Sequence, residues 1–146
     1  MSALWLLSKV AVETAFNMGE AREMCERFDA EVTVDGKPWS FKNFTFITAG
    51  TMETFGFGFR PLYRARTKPG QLQIMGCSTT PRGVLTNFPR FFLSKPSPSK
   101  YYEDSMGHEA VIKLEKPQSY MIDGDVVEPT DTIKITCGPR LTIIVR

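Results

Sequence analysis

Histidine occurs once, at His108, and cysteine three times, at Cys25, Cys77 and Cys137. There is no Cys-x-x-Cys pair and no Cys/His spacing, so a zinc site is not expected. Three widely separated cysteines do not make a disulfide framework either, and they read as reduced packing residues. Long apolar runs are missing as well. The N-terminal Ala3-Leu-Trp-Leu-Leu7 is too short to span a bilayer and has no basic residue before it, so it makes a poor signal peptide. The chain is expected to be cytoplasmic, with the inner membrane surface as a candidate peripheral location. Neither sign of charge dominates: 18 Lys and Arg oppose 16 Asp and Glu, for a formal net charge of +2. That balance gives no ground for a nucleic-acid partner.

Enzyme signatures are also lacking. No Gly-x-x-x-x-Gly-Lys-Ser/Thr loop, no Gly-x-Gly-x-x-Gly opening a helix after a strand and no Gly-x-Ser-x-Gly elbow occurs. Phe55-Gly-Phe-Gly-Phe59 has glycines, but aromatics fill the gaps where a phosphate needs close backbone approach. A self-contained enzyme of a common type is therefore not visible.

What is present is a chain of 146 residues, one domain's length, able to bury about 68–70% of its unfolded surface. Residues 1–28 read as a leading helix, with Leu4, Leu7, Ala11, Ala15 and Met18 on one face. Residues 29–146 read as strands. Val32 and Val34 alternate with polar residues, Asp35-Gly36 turns the chain, and Trp39 to Ile47 is expected as the second strand of a hairpin. A strand over Leu72–Cys77 follows the Pro69-Gly70 turn. Thr79 or Thr80 with Pro81 starts a short helix carrying Val84, Phe88 and Phe92, which Pro89 should kink or end. Further strands are expected at Glu109–Leu114, Ser119–Ile122, Thr132–Cys137 and Leu141–Val145, with turns at Asp123-Gly124 and Gly138-Pro139. The predicted fold is mainly β: an antiparallel β-sandwich with an N-terminal helix and one inserted short helix.

Four features carry candidate chemistry, each with a plainer reading beside it. Asp123-Gly-Asp125 is either a simple turn or the holder of a catalytic carboxylate, Asp125, supported by Asp123; at i and i+2 both carboxylates share one side of an extended chain. Arg64, Arg66 and Lys68 alternate, so on a strand they form one basic face, fit for a phosphate or a lipid headgroup, or for protecting an edge strand. Phe55, Phe57 and Phe59 have the same period and would line an acyl chain or fill the core. Phe88, Phe91 and Phe92 with Arg90 suit a membrane surface, or a helix packed on the core with a wet basic face.

Read in order, Val32-Thr-Val-Asp-Gly-Lys37, the Gly-rich loop ending at Pro61, Pro69-Gly-Gln-Leu72, Met121-Ile-Asp-Gly-Asp125 and Ile133-Lys-Ile-Thr-Cys-Gly-Pro-Arg-Leu-Thr-Ile143 resemble the C-terminal domain of the diacylglycerol kinase, sphingosine kinase and bacterial lipid kinase family. The resemblance runs from about residue 28 to the end. It implies a β-sandwich that covers a cleft and binds a lipid substrate. The ATP-binding domain it works with, in cis or in trans, is not in this chain. ATP and Mg²⁺ are expected for the complete kinase and no cofactor for this chain alone, which should be inactive by itself. The position of the family's catalytic acid, usually Glu, is Asp125. The family's metal-holding Asp corresponds to Pro69, so no metal site is carried over, and Lys68 is a candidate to supply positive charge there instead. The alternative reading is a stand-alone, non-catalytic lipid- or membrane-binding module.

Overall fold

The computed structural model describes residues 26–55, 58–97 and 100–139. Almost all of the expected leading helix, and the strand expected over Leu141–Val145, lie outside the described residues. Phe28, placed at the end of the leading segment by the sequence reading, already begins strand β1 (Phe28–Val34). Ala30, Val32 and Val34 point inward and Asp29, Glu31 and Thr33 outward, as the period-two pattern requires. Asp35 (φ 47°) and Gly36 (φ 78°) then make the two-residue turn into β2 (Lys37–Pro38), with Val34 opposite Lys37. Left-handed φ at both positions is why Asp-Gly suits this turn.

The expected long strand from Trp39 to Ile47 is broken. The Glu103 carboxylate accepts hydrogen bonds from Ser40 N, Ser40 Oγ and Phe41 N at 3.0–3.2 Å and holds the chain in a bend there. After the bend, β3 (Asn43–Phe44) still pairs with β1, and β4 (Phe46–Gly50) pairs with β5 (Leu72–Cys77) in the other sheet. The segment thus crosses between sheets, which one straight strand cannot do.

Helix α1 (Pro81–Phe92) has Thr80 as its N-cap, its side chain accepting from Gly83 N at 3.3 Å. Pro89 does not end it. Proline here sits in the last turn, so it forfeits only one intrahelical bond before the helix stops at Phe92. β6 (Tyr102–Gly107) was absent from the sequence reading. The strands expected separately at Glu109–Leu114 and Ser119–Ile122 merge into β7 (Glu109–Ile122), and the one expected at Thr132–Cys137 begins earlier, as β8 (Asp125–Thr136).

All pairings are antiparallel, in two sheets: β2-β1-β7-β8, with β3 on β1, and β4-β5-β6. The sheets pack face to face over Ala30, Val32, Val34, Trp39, Phe44, Leu72, Ile74, Ala110 and Ile112. β5 is buried along its whole length because its other face, at Met75, meets Leu62 and Ala65 of the loop before it and Phe91 of α1. The mainly β sandwich with one inserted helix is therefore present, with α1 as a third layer.

Candidate functional site

β7 is paired with β1 only as far as Leu114, opposite Ala30. From Glu115 to Ile122 its partner among the described residues is β8 alone, and there the two strands form an arm. Eight residues at strand rise give it a length of roughly 26 Å. Register shifts flank Gln118. Pro117 on β7 and Pro129 on β8 fall within these shifts, and each lacks an amide donor. Its stem is polar, but its tip exposes Met121 (67%), Ile122 (54%) and Val126 (71%). A two-stranded arm has no room to bury these residues itself.

Asp123 and Asp125 sit at that tip. Asp123 occupies the turn with φ 50°, beside Gly124 with φ 102°, and Asp125 opens β8 opposite Ile122. The extended chain on which a same-side arrangement of the two carboxylates was expected is not present here, because Asp123 is a left-handed turn residue and only Asp125 belongs to a strand. Both are exposed, and neither makes a side-chain hydrogen bond or ion pair among the described residues.

Arg64, Arg66 and Lys68 do not form an extended ladder. They lie in consecutive turns between β4 and β5, closed by Ala65 N to Leu62 O (3.1 Å), Thr67 N to Arg64 O (2.9 Å) and Gln71 N to Lys68 O (3.2 Å). Gly70, with φ 80°, meets the demand for positive φ after Pro69. Arg64 turns inward to the Asp104 carboxylate at 2.9 Å. The same carboxylate accepts from Tyr63 Oη (3.1 Å) and Gln73 Nε2 (3.2 Å), while Gln73 Oε1 accepts from Arg64 N (2.7 Å). Burial, then the neighbouring Asp104 charge, pushes the Tyr63 phenol above its ordinary pKa. Arg66 and Lys68 remain exposed.

The sequence reading missed Tyr63, Gln73 and Asp104. A glutamine inside the otherwise apolar Leu-Gln-Ile-Met-Gly-Cys strand was the available signal, since a buried amide demands partners. A divalent ion does not fit this cluster. Its single carboxylate is already occupied by three donors, and among the described residues no group of three metal-ligating side chains occurs.

Phe55 and Phe59 face each other as a bridged pair rather than following one another along one strand. Phe55 N donates to Phe59 O at 2.7 Å across a tight turn, with Gly58 at φ 77°. Phe57 lies outside the described residues. Phe59 stacks with Phe88, Phe91 and Phe92 at centroid distances of 5.3, 5.3 and 5.9 Å. Of the helix aromatics, Phe91 is core, 2% exposed, whereas Phe92 is 45% and Leu93 63% exposed. The expected placement of Phe91 on the surface is thus corrected: its ring packs with Leu62, Ala65 and Met75 under the sheet. Among the described residues no hydrogen bond, ion pair or ring contact links this aromatic surface or the Arg64 cluster to the arm, and they pack on different sheets.

No protein-family model and no curated protein matches this sequence. Solved structures do. One, titled a "putative diacylglycerol kinase" from Bacillus anthracis, aligns with a TM-score of 0.64 and 17% identity over 86% of this chain and 42% of its own. A second, similarly titled and from the same organism, aligns at 0.58 and 18% over 88% and 45%. The chain spans less than half the length of these proteins and shares the fold of that part of them.

Proposed function

We propose that this chain is the lipid-side domain of a lipid kinase of the diacylglycerol/sphingosine type, acting with an ATP-binding body that it does not contain. The observation that carries this reading is the arm: an exposed carboxylate at the tip of a long hairpin with apolar flanks, on a fold that is under half of the similar chains. A tip with Met121, Ile122 and Val126 exposed is suited to insertion against another body, and insertion would bring Asp125 to that body's bound nucleotide.

Asp125 would then accept the proton of the lipid hydroxyl as its oxygen attacks the terminal phosphorus and the bond to the leaving ADP breaks. ATP and Mg²⁺, held elsewhere, supply the phosphoryl group and neutralise its charge. Arg66 and Lys68, exposed on the turns, are the candidates for meeting a phosphate or the lipid headgroup. Arg64 contributes less, because Asp104 already holds it. Phe55 and Phe59 are the acyl-chain candidates. Asp is one methylene shorter than Glu, and a shift of about 1 Å at a reacting centre costs roughly a hundredfold in rate, so the arm must seat closely.

The test is to immunoprecipitate the tagged chain from its source cells, with whatever polypeptide carries or accompanies it. The precipitate is assayed for ATP-dependent phosphorylation of a short-chain diacylglycerol and of sphingosine. Activity that Asp125→Asn abolishes supports the reading. Activity unchanged by Asp125→Asn removes the carboxylate from the mechanism. Lipid binding with no phosphorylation selects the second reading, a non-catalytic lipid- or membrane-binding module, which the exposed aromatic surface favours.

A further inference from the structure

Among the described residues, exposed apolar side chains gather in two groups, and the charges around them differ in sign. The first is the arm tip, where Asp123, Asp125 and Glu128 surround Met121, Ile122 and Val126. The second is built by the end of α1 and the Gly-rich loop. Phe92 (45% exposed), Leu93 (63%) and Phe55 (41%) flank Phe59 and Phe88. Geometry holds these pieces in one surface: Phe55 is bridged to Phe59, and Arg60 N donates to Phe91 O at 3.1 Å. The helix then ends in a turn where Leu93 N, Ser94 N and Lys95 N bond back to Pro89, Phe91 and Arg90 carbonyls at 3.0–3.3 Å. Arg60, Arg90 and Lys95 consequently surround the exposed rings.

The small net charge of the chain hides a strong segregation. From Phe55 to Tyr102 the sequence carries Arg60, Arg64, Arg66, Lys68, Arg82, Arg90, Lys95 and Lys100, and all 16 Asp and Glu residues lie outside that stretch. Of these cations, Arg64 is occupied by Asp104, and the others decorate the α1 and loop layer.

We propose that this aromatic and basic surface docks on an anionic lipid bilayer, with Phe92 and Leu93 entering the headgroup boundary and Arg60, Arg90 and Lys95 meeting lipid phosphates. Aromatic and aliphatic side chains ringed by Lys and Arg match an interfacial site on both counts. The arm tip, with Asp123, Asp125 and Glu128, has the same sign of charge as that bilayer, so charge selects the basic surface as the face that docks. This inference goes beyond the kinase reading and does not require it, since a domain without a catalytic partner would dock in the same way.

Co-flotation of the chain with vesicles tests it, using phosphatidylcholine alone or mixed with phosphatidylglycerol. Binding is expected only to the mixed vesicles and should weaken with salt. Leu93→Ser, at an exposed site, and the pair Phe92→Ser with Leu93→Ser should lower partitioning, the pair by roughly tenfold or more. Arg90→Gln and Lys95→Gln should each lower it about fivefold. Met121→Ser on the arm should leave it unchanged. Equal binding to neutral vesicles, undiminished binding of both serine variants, or the same loss with Met121→Ser would overturn the proposal. So would salt-sensitive binding that a DNA duplex competes away without regard to Phe92 and Leu93.

Discussion

Replacing Asp104 with Asn tests whether the buried polar cluster holds the Arg64 turn against the sheet. Asparagine keeps the size and one acceptor oxygen but adds a donor and loses the charge. Three donors, from Tyr63, Arg64 and Gln73, now compete for one oxygen. Gln73 is fully buried, at 0% exposure, so its amide has no water to turn to. An unsatisfied buried donor costs about 1–3 kcal/mol. The lost ion pair adds less, because the Arg64 and Asp104 side chains are 39% and 24% exposed, and pairs near the surface are worth about 1 kcal/mol or under. Tyr63, half-buried, can redirect its hydroxyl to solvent. The expected loss is about 2–3 kcal/mol, which at a urea m-value of roughly 1–3 kcal/mol/M moves the midpoint by about 1 M or more. Urea unfolding followed by Trp39 fluorescence measures it. Adding Arg64→Gln to make a double-mutant cycle separates the ion pair from the amide. A loss below about 0.5 kcal/mol, the level of an ordinary surface substitution, would show that the cluster does not hold the turn.

Gly76 lies where an added Cβ would come within 2.7 Å of Trp39 Cζ3 and 2.8 Å of Phe44 Cε1, both core rings. Gly76→Ala should therefore lower stability by about 1–3 kcal/mol, and an unchanged thermal midpoint would contradict the packing described. Asp35 has its carboxyl held below the ordinary value of 3.8, first by the Glu109 amide and further by the His108 amide. A depressed carboxyl stabilises the fold above its unfolded value, and the contribution is lost as pH falls through the folded one. The stability gap between the wild-type chain and Asp35→Asn should thus be full at neutral pH and shrink below 3.8, while a gap independent of pH would refute the assignment.

Local chemistry alone determined several elements. Asp35-Gly36 and Asp123-Gly124 both make left-handed two-residue turns between strands, because Asp and Gly tolerate positive φ where most residues do not. Thr80 and Pro81 start α1 because a hydroxyl cap and a proline at the first turn satisfy or remove orphan amides. The alternation of Val32 and Val34 placed β1 correctly, as half-buried strands do. The position of Asp125 next to a turn was equally legible.

Tertiary structure decided the rest. Nothing local marks Tyr102–Gly107 as a strand, since its Glu103, Asp104 and Ser105 look solvent-facing until they meet Ser40, Arg64 and Trp39 at sequence separations of 40 to 66. Likewise the alternation of Arg64, Arg66 and Lys68 mimics a strand, but Pro61, Pro69-Gly70 and the pull of Asp104 and Gln73 on Arg64 fold it into turns. Period cannot say which of Phe91 and Phe92 is core; the approach of β5 and Leu62 does. The arm is the clearest case. Two strands long enough to outrun their neighbours are visible only once the pairing of β7 with β1 is seen to stop at Leu114, and only then does Asp125 stand at the tip of an arm. Turn chemistry and side-chain period act over a few residues and can be read from them, whereas burial and partnership are settled by segments far away in the chain.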